Sequence, residues 1–302
     1  MVIPVSDLSP TRHQESTSAA PAVSIVIVSF NVCELLAACL ESVYRETASL
    51  NAEVFVVDNA SRDGSANMVT RRFPRVRLIR NSQNRWLAPA NNQALRECSG
   101  RFILFLNPDT ELLPTALTSL IECLEAHPTV GIVGAQLLNV DRSVQPSGNA
   151  LRAWWSFLAD ALPLHRVGLG RRQSFHDAQR DYERACEVAE ASGACALVRR
   201  DVLVQTGPLD ERFAYCYEDV DLCIRAAHAG WRTMYYPRAK VVHHGGRSAP
   251  DDPAELQRRW ERGQLVFIRK HYSFLLYVAV RSILTLKRSV RRISGAMTSG
   301  RA

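Results

Sequence analysis

Arg101-Phe102-Ile103-Leu104-Phe105-Leu106-Asn107-Pro108-Asp109-Thr110 decides how the rest of the chain is read. The apolar run over 101–106 reads as a buried strand. It delivers one carboxylate, Asp109, into a turn at the strand's carboxyl end, where open α/β sheets place their ligands. A carboxylate there can hold a divalent cation, and the cation can hold a diphosphate. An Asp in a turn is equally ordinary structural punctuation, so the surrounding pattern has to arbitrate.

Outward from that strand, the chain over 23–135 alternates β-branched runs with helical patterns. Val23–Ser29, Glu53–Val57 and Val76–Arg80 read as further strands. Asn31 is expected to cap a helix whose apolar positions Leu35, Leu36, Cys39, Leu40 and Val43 fall at helical spacing. Asp63-Gly64 opens a second helix, Pro89 a third and Pro114 a fourth. Strands alternating with helices imply a parallel sheet with right-handed crossovers. Beyond Gln136 the pattern loosens. Leu137–Ser147 reads as a hairpin, 150–190 is irregular, Ala191–Val198 is a buried strand, and Tyr217–Ala229 is a helix. Two short strands, Arg232–Tyr236 and Lys240–His243, precede a helical tail. The expected organisation is a disordered leader over 1–22, an α/β domain over 23–250 divided near 136, and a tail over 251–302.

A chain of 302 residues, 47% hydrophobic and 22% charged, can bury a sizeable core. Its formal net charge of +7 is uneven: nine of the 37 Lys/Arg and none of the 30 Asp/Glu lie from Arg262 onward. The body is near neutral, which argues against a nucleic-acid-binding body and points the tail at something anionic. Phe274–Leu286 is too short to cross a bilayer and carries Arg281 in its middle. An interfacial helix is expected over 265–292, with Arg269, Lys270, Lys287, Arg288, Arg291 and Arg292 on anionic headgroups; the alternative is a helix packed on the domain. The eight cysteines form no metal-ligand spacing and suit a reducing cytoplasm, with the protein at the inner face of the cell membrane.

Three further stretches carry candidate chemistry. Asp58 closes a strand inside Val57-Asp58-Asn59-Ala60-Ser61-Arg62-Asp63-Gly64-Ser65. Its carboxylate can take a hydrogen bond from a nucleobase imide or a ribose hydroxyl, or simply cap the following helix. Glu218-Asp219, followed by Asp221, stands at a helix start between aromatic neighbours Tyr215 and Tyr217. Such acids often only complement the helix dipole, but one beside an acceptor hydroxyl serves as general base. His243-His244-Gly245-Gly246 follows a strand, and neutral imidazole is a good metal ligand. Adjacent histidines on a strand point opposite ways, so at most one faces a site.

In this order, Val23–Asn31 (VSIVIVSFN), Val57–Ser65 (VDNASRDGS), Phe105–Thr110 (FLNPDT), Tyr217–Leu222 (YEDVDL) and His243–Ser248 (HHGGRS) make the chain resemble family 2 glycosyltransferases, in particular the rhamnosyltransferase-like branch that uses dTDP- or UDP-sugars. The resemblance implies a GT-A fold: a Rossmann-like, mainly parallel sheet flanked by helices, with an acceptor-side half. It implies inverting transfer of a sugar, rhamnose among the candidates, to a glycan or lipid-linked glycan acceptor. Asp58 would then meet base and ribose, Ser29 and Asn31 would border the base, and Asn84, Asn92 and Asn107 would lie on the donor side. Asp109 and His243 would hold Mg²⁺ or Mn²⁺, and Asp219, with Glu218 beside it, would be the base.

The sequence departs from the family pattern in two places. Asn107 stands where relatives often carry Asp, and Trp86 and Ala90 replace glycines of the donor loop Asn84–Asn92. They leave open a non-catalytic nucleotide- or glycan-binding scaffold of an assembly complex. A sugar-nucleotide pyrophosphorylase would want a Gly-rich, basic loop after the first strand, and Ser29-Phe30-Asn31-Val32 is not one.

Overall fold

Val23–Ser29 forms β1, with every side chain buried. A strand covered on both faces belongs at the centre of a sheet, which is why it reads as continuous Val and Ile. In this computed structural model, which describes residues 20–148, 153–162, 181–213, 215–246 and 253–299 and side chains as far as 289, β1 pairs in parallel with β2 (Ala52–Asp58) on one side. On the other it pairs in parallel with the strand of the opening decapeptide, Phe102–Leu106. The expected leader lies almost wholly outside the described residues, as do most of the irregular stretch, Arg247 and Ser248.

The sheet elements are β3 (Val76–Arg80), β4 (Phe102–Leu106), β5 (Thr110–Leu112), β6 (Val130–Leu138), β7 (Val144–Gln145), β8 (Cys186–Val188), β9 (Cys195–Arg199) and β10 (Arg232–His243). They run in the order β3-β2-β1-β4-β9-β6-β10-β5, with β7 on β6 and β8 on β10. The first four are parallel, as the alternating pattern predicts. β9 is antiparallel to both β4 and β6. The second half is therefore mixed, because the long excursion between β6 and β9 returns the chain in the opposite direction.

Helices α1 (Cys33–Glu46), α2 (Ser65–Arg72) and α4 (Ala116–Ala126) cover one face; α3 (Leu87–Leu95), α6 (Arg200–Thr206) and α7 (Glu218–His228) cover the other. Leu36 and Leu40 of α1 are buried as their spacing requires, each contributing about 1.5–3 kcal/mol. Asn31 does not cap α1. Val32 occupies that position, and the Asn31 side chain instead accepts the Arg62 backbone N–H at 2.8 Å, tying two loops together. Pro114 lies just outside its helix, which starts at Ala116 after a left-handed Thr115. The expected strand 191–198 begins only at Cys195, since Gly193 and Ala194 serve the site instead. The two strands expected over 232–243 are one, bulged between Tyr236 and Lys240 where Pro237 has no N–H to give.

The tail folds into α8 (Pro253–His271) and α9 (Phe274–Ser299). With α5 (Trp154–Ala161) they build a third core cluster in which Phe267, Ile268, Leu276, Val280 and Leu284 pack on Phe157, Phe213 and Tyr217. Asp221, fully buried, fastens this layer by accepting from Arg225 Nε at 2.8 Å and His271 Nε2 at 2.7 Å, with Lys270 Nζ at 2.6 Å. Lys270 also donates to Asp210 at 2.7 Å, and Arg288 to Glu261 at 2.6 Å. Lys270 is thus tied into the fold, whereas Arg288 keeps about half of its side chain exposed, 49%, beside Glu261. Arg291 and Arg292 have side chains outside the described residues.

Candidate active site

Parallel pairing brings the carboxyl ends of β1 and β4 to one edge, so Phe30 and the turn Asn107-Pro108-Asp109 emerge side by side. Thr110 Oγ1 donates to the Asn107 carbonyl at 2.7 Å and closes that turn. Because β9 runs antiparallel to β4, its entry, not its exit, lies here: the Asn107 N–H meets the Ala194 carbonyl at 3.0 Å. β10 ends opposite β5 with His243 facing Thr110, which carries the imidazole to the same edge. Gly193 then hands on to α7, donating its N–H to Asp219 Oδ2 at 2.9 Å. A Cβ on Gly193 would lie 3.1 Å from that oxygen.

The result is a cavity of about 300 Å³ walled by Asn107, Asp109, His243, Glu218 and Asp219, with Trp86 and Asn84 also in its lining. Asp109 is 1% exposed. His243 Nε2 lies 3.6 Å from Asp109 Oδ1, beyond hydrogen bonding but within the span of two donors on one hard cation at about 2.1 Å each. His244 points away to Glu111 Oε1 at 3.1 Å, so the pair divides as expected for adjacent strand residues. Among the described residues no third His, Cys, Asp or Glu joins these two. A carboxylate and an imidazole with open positions suit a cation that takes its remaining ligands from substrate phosphates, so the donor set fits Mg²⁺ or Mn²⁺.

Glu218 and Asp219 open α7 after two left-handed residues, Cys216 and Tyr217, which aim the helix end into the cavity. Burial, reinforced by the charge of Asp219, pushes the Glu218 carboxyl up to about 8. Burial also raises Asp219, but the N–H groups of Gly193 and Val220 stabilise its charged form. Of the two acids, Asp219 is therefore the one whose charged form the backbone favours, and Glu218 the one that burial presses hardest toward its protonated form. Asp221, close in sequence, belongs to the ion cluster beneath α8 and takes no part here.

A family model for "Glycosyl transferase family 2" matches residues 24–207. The chain belongs to that family. Among curated relatives, the N-acetylglucosaminyl-diphospho-decaprenol L-rhamnosyltransferase of Mycobacterium tuberculosis is 29% identical over 265 residues, which is 79% of this chain and 85% of that protein. The O-antigen biosynthesis protein RfbC of Myxococcus xanthus is 29% identical over 77% of this chain but only 18% of its own length. Solved structures share the fold at low identity. The mannosyltransferase PcManGT of Pyrobaculum calidifontis, in complex with GDP-Man and Mn²⁺, gives a TM-score of 0.55 at 18% identity over 92% of this chain and 76% of that one. GalNAc-T7 with UDP, GalNAc and Mn²⁺ gives 0.55 at 14% over 75% of this chain and 44% of that one. The fold is GT-A, and the protein is a rhamnosyltransferase-like family 2 glycosyltransferase.

In this glycosyltransferase Asp58 and Asn31 line a second, open cleft of about 980 Å³ that adjoins the first through Phe30 and Asn84. Asp58 is 4% exposed; its Oδ2 accepts the Ser61 N–H at 3.2 Å and its Oδ1 has no partner. Ser29 and Asn92 face neither space. The Ser29 hydroxyl is buried within the sheet, and Asn92 makes paired hydrogen bonds with the Leu209 backbone at 2.8 and 3.1 Å. Trp86 lines the cavity without filling it, at φ 71° and ψ 179°, a conformation in which glycine is at home. Its ring is covered by the Arg259 guanidinium 3.2 Å from the centroid. Sequence reasoning missed Arg259, Gly193 and Asn59, whose amide braces the donor loop at Trp86 O and Arg85 N. Only the Trp-for-Gly departure signalled that something had to cover that loop.

Proposed function

We propose that this glycosyltransferase moves a sugar, rhamnose being the leading candidate, from a UDP- or dTDP-sugar to a lipid-linked glycan by single displacement with inversion, in cell-surface polysaccharide synthesis. The observation that carries the reading is that Asp109 with His243 and Glu218 with Asp219 wall one cavity, beside the cleft of Asp58. Asp58 Oδ1 would accept from the base or ribose, and Asn31 and Asn84 would border the nucleoside. Asp109 and His243 would hold Mg²⁺ or Mn²⁺, which neutralises charge on a departing diphosphate. Asp219, whose charged form two backbone N–H groups stabilise, would take the proton of the attacking hydroxyl. Glu218, holding its proton, can donate a hydrogen bond in the same space. A covalent enzyme intermediate is unnecessary, since one base suffices for inversion.

The choice of acceptor follows the mycobacterial relative, whose name specifies a diphospho-decaprenol glycan. It also agrees with the outer face of α9, where Phe274, Leu275 and Leu286 are exposed beside Arg281 and Lys287. Among the described residues no helix is long and apolar enough to cross a membrane. Contact with an anionic membrane along this face would bring the cavity to a lipid-borne substrate at the inner surface.

Release of nucleotide from UDP- and dTDP-sugars with Mn²⁺ is the first test. Asp109→Ala should remove it, and Asp219→Asn should abolish transfer while leaving donor affinity unchanged. Equal nucleotide release by wild type and Asp109→Ala would end this reading.

A further inference from the structure

His243 is useful to a metal only if Nε2 carries a lone pair, and the fold contains a chain of hydrogen bonds that determines this. The chain begins at Asp141 in the β6–β7 turn, whose carboxylate can only accept: Ser143 Oγ–H donates to it at 2.5 Å. With its proton committed, Ser143 Oγ accepts from Asn139 Nδ2 at 3.0 Å. That orients the Asn139 amide and turns its Oδ1 to Gln145 Nε2 at 3.1 Å. Gln145 Nε2 also donates to the His243 carbonyl at 3.3 Å, so its Oε1 faces His243 Nδ1 at 2.7 Å. An oxygen there requires Nδ1 to bear the hydrogen. In the neutral imidazole Nε2, which has no hydrogen-bond partner of its own, then presents its lone pair toward Asp109.

We propose that Gln145, oriented through Asn139 and Ser143 by Asp141, is a positioning residue that holds His243 in the Nδ1–H tautomer and so prepares Nε2 to bind a divalent cation. The inference rests on the metal role of Asp109 and His243 given above. It adds the residues that make one of those ligands competent. The β7 strand is only Val144–Gln145, and its Gln side chain is the link between the hairpin and β10. The Asp141 carboxylate can only accept, and this fixes the direction of every bond that follows. Outer partners of metal-binding histidines commonly change metal affinity about 10–100-fold when removed.

The test uses the full chain and two readouts. In metal-free protein at pH 8, the ¹⁵N shifts of the His243 ring should report the Nδ1–H tautomer in wild type and in Gln145→Glu, which keeps an acceptor. They should report its loss in Gln145→Leu. Titration with Mn²⁺ alone, followed by electron paramagnetic resonance, should show binding weakened about 10–100-fold in Gln145→Leu and retained in Gln145→Glu. In a His243→Ala background Gln145→Leu should cost nothing more. Thermal melts establish that each variant is folded. A wild-type tautomer in folded Gln145→Leu, or the same loss of Mn²⁺ affinity with and without His243, overturns the inference while leaving the metal reading standing. Unchanged Mn²⁺ affinity in His243→Ala removes the metal reading itself, and this inference with it.

Discussion

Glu218 and Asp219 are chemically alike and adjacent, yet the fold treats them differently. Asp219 receives two backbone N–H groups, whereas Glu218 Oε2 has no partner and is buried. Because its carboxyl titrates near 8 in the folded protein and near 4.5 ordinarily, the folded state binds the extra proton between those values. Its presence therefore costs stability progressively as pH rises from about 4.5 to 8, up to a few kcal/mol. Glu218→Gln should flatten that dependence and raise the melting temperature at pH 8.5; parallel melting curves from pH 5 to 8.5 would refute the burial effect. Trp86 carries strain of about 1–3 kcal/mol in a glycine conformation, opposed by the Arg259 stack, worth about 0.5–2 kcal/mol. Trp86→Gly sheds both and should be near neutral. Trp86→Ala keeps the strain, loses the stack and should unfold in urea about 1 kcal/mol sooner than the glycine variant. The identities of these residues were legible in the sequence, since a Trp where relatives carry Gly is visible at once. What compensated for it was not, because Arg259 is far away along the chain.

At the scale of elements, α8 packs on the turn that aims Glu218 and Asp219. Gly263 lets α8 approach so closely that a Cβ there would lie 2.8 Å from the Tyr215 carbonyl. Tyr217 stacks on Phe267 from the same helix at 5.0 Å. Gly263→Ala should push α8 off this turn, destabilise the protein by about 1–3 kcal/mol and lower kcat more than donor affinity. A variant with wild-type kcat would show that α8 only covers the domain. Helices α1 to α4 and the first four strands were readable because their periodicity is local. β9 was placed too early, since residues 191–194 are apolar enough for a strand but are occupied in holding Asn107 and Asp219.

Over the whole molecule the basic tail proves to have two faces. Leu276, Val280 and Leu284 of α9 are buried against α5 and α8, so truncating the tail would open the core. Replacing only the outer residues, Phe274, Leu275 and Leu286, with Ser leaves that core intact. The triple variant should bind anionic vesicles at least tenfold more weakly, with wild-type binding falling as salt rises past about 0.15 M. Equal co-sedimentation of the two proteins would exclude α9 as the membrane face.

The order of strands and helices over residues 23–135, the acid at 109 and the pair at 218–219 were determined by sequence alone. Each depends on neighbours a few residues away: an apolar period, a turn residue, a carboxylate at an element's end. Tertiary structure decided which acids share a cavity, that Asn92 holds Leu209, that Asp221 anchors α8, and that Asp58 occupies an adjoining cleft. It also decided which nitrogen of His243 is free. Those outcomes depend on contacts between residues up to more than a hundred positions apart, such as Asn92 with Leu209, and only closure of the sheet makes such groups neighbours.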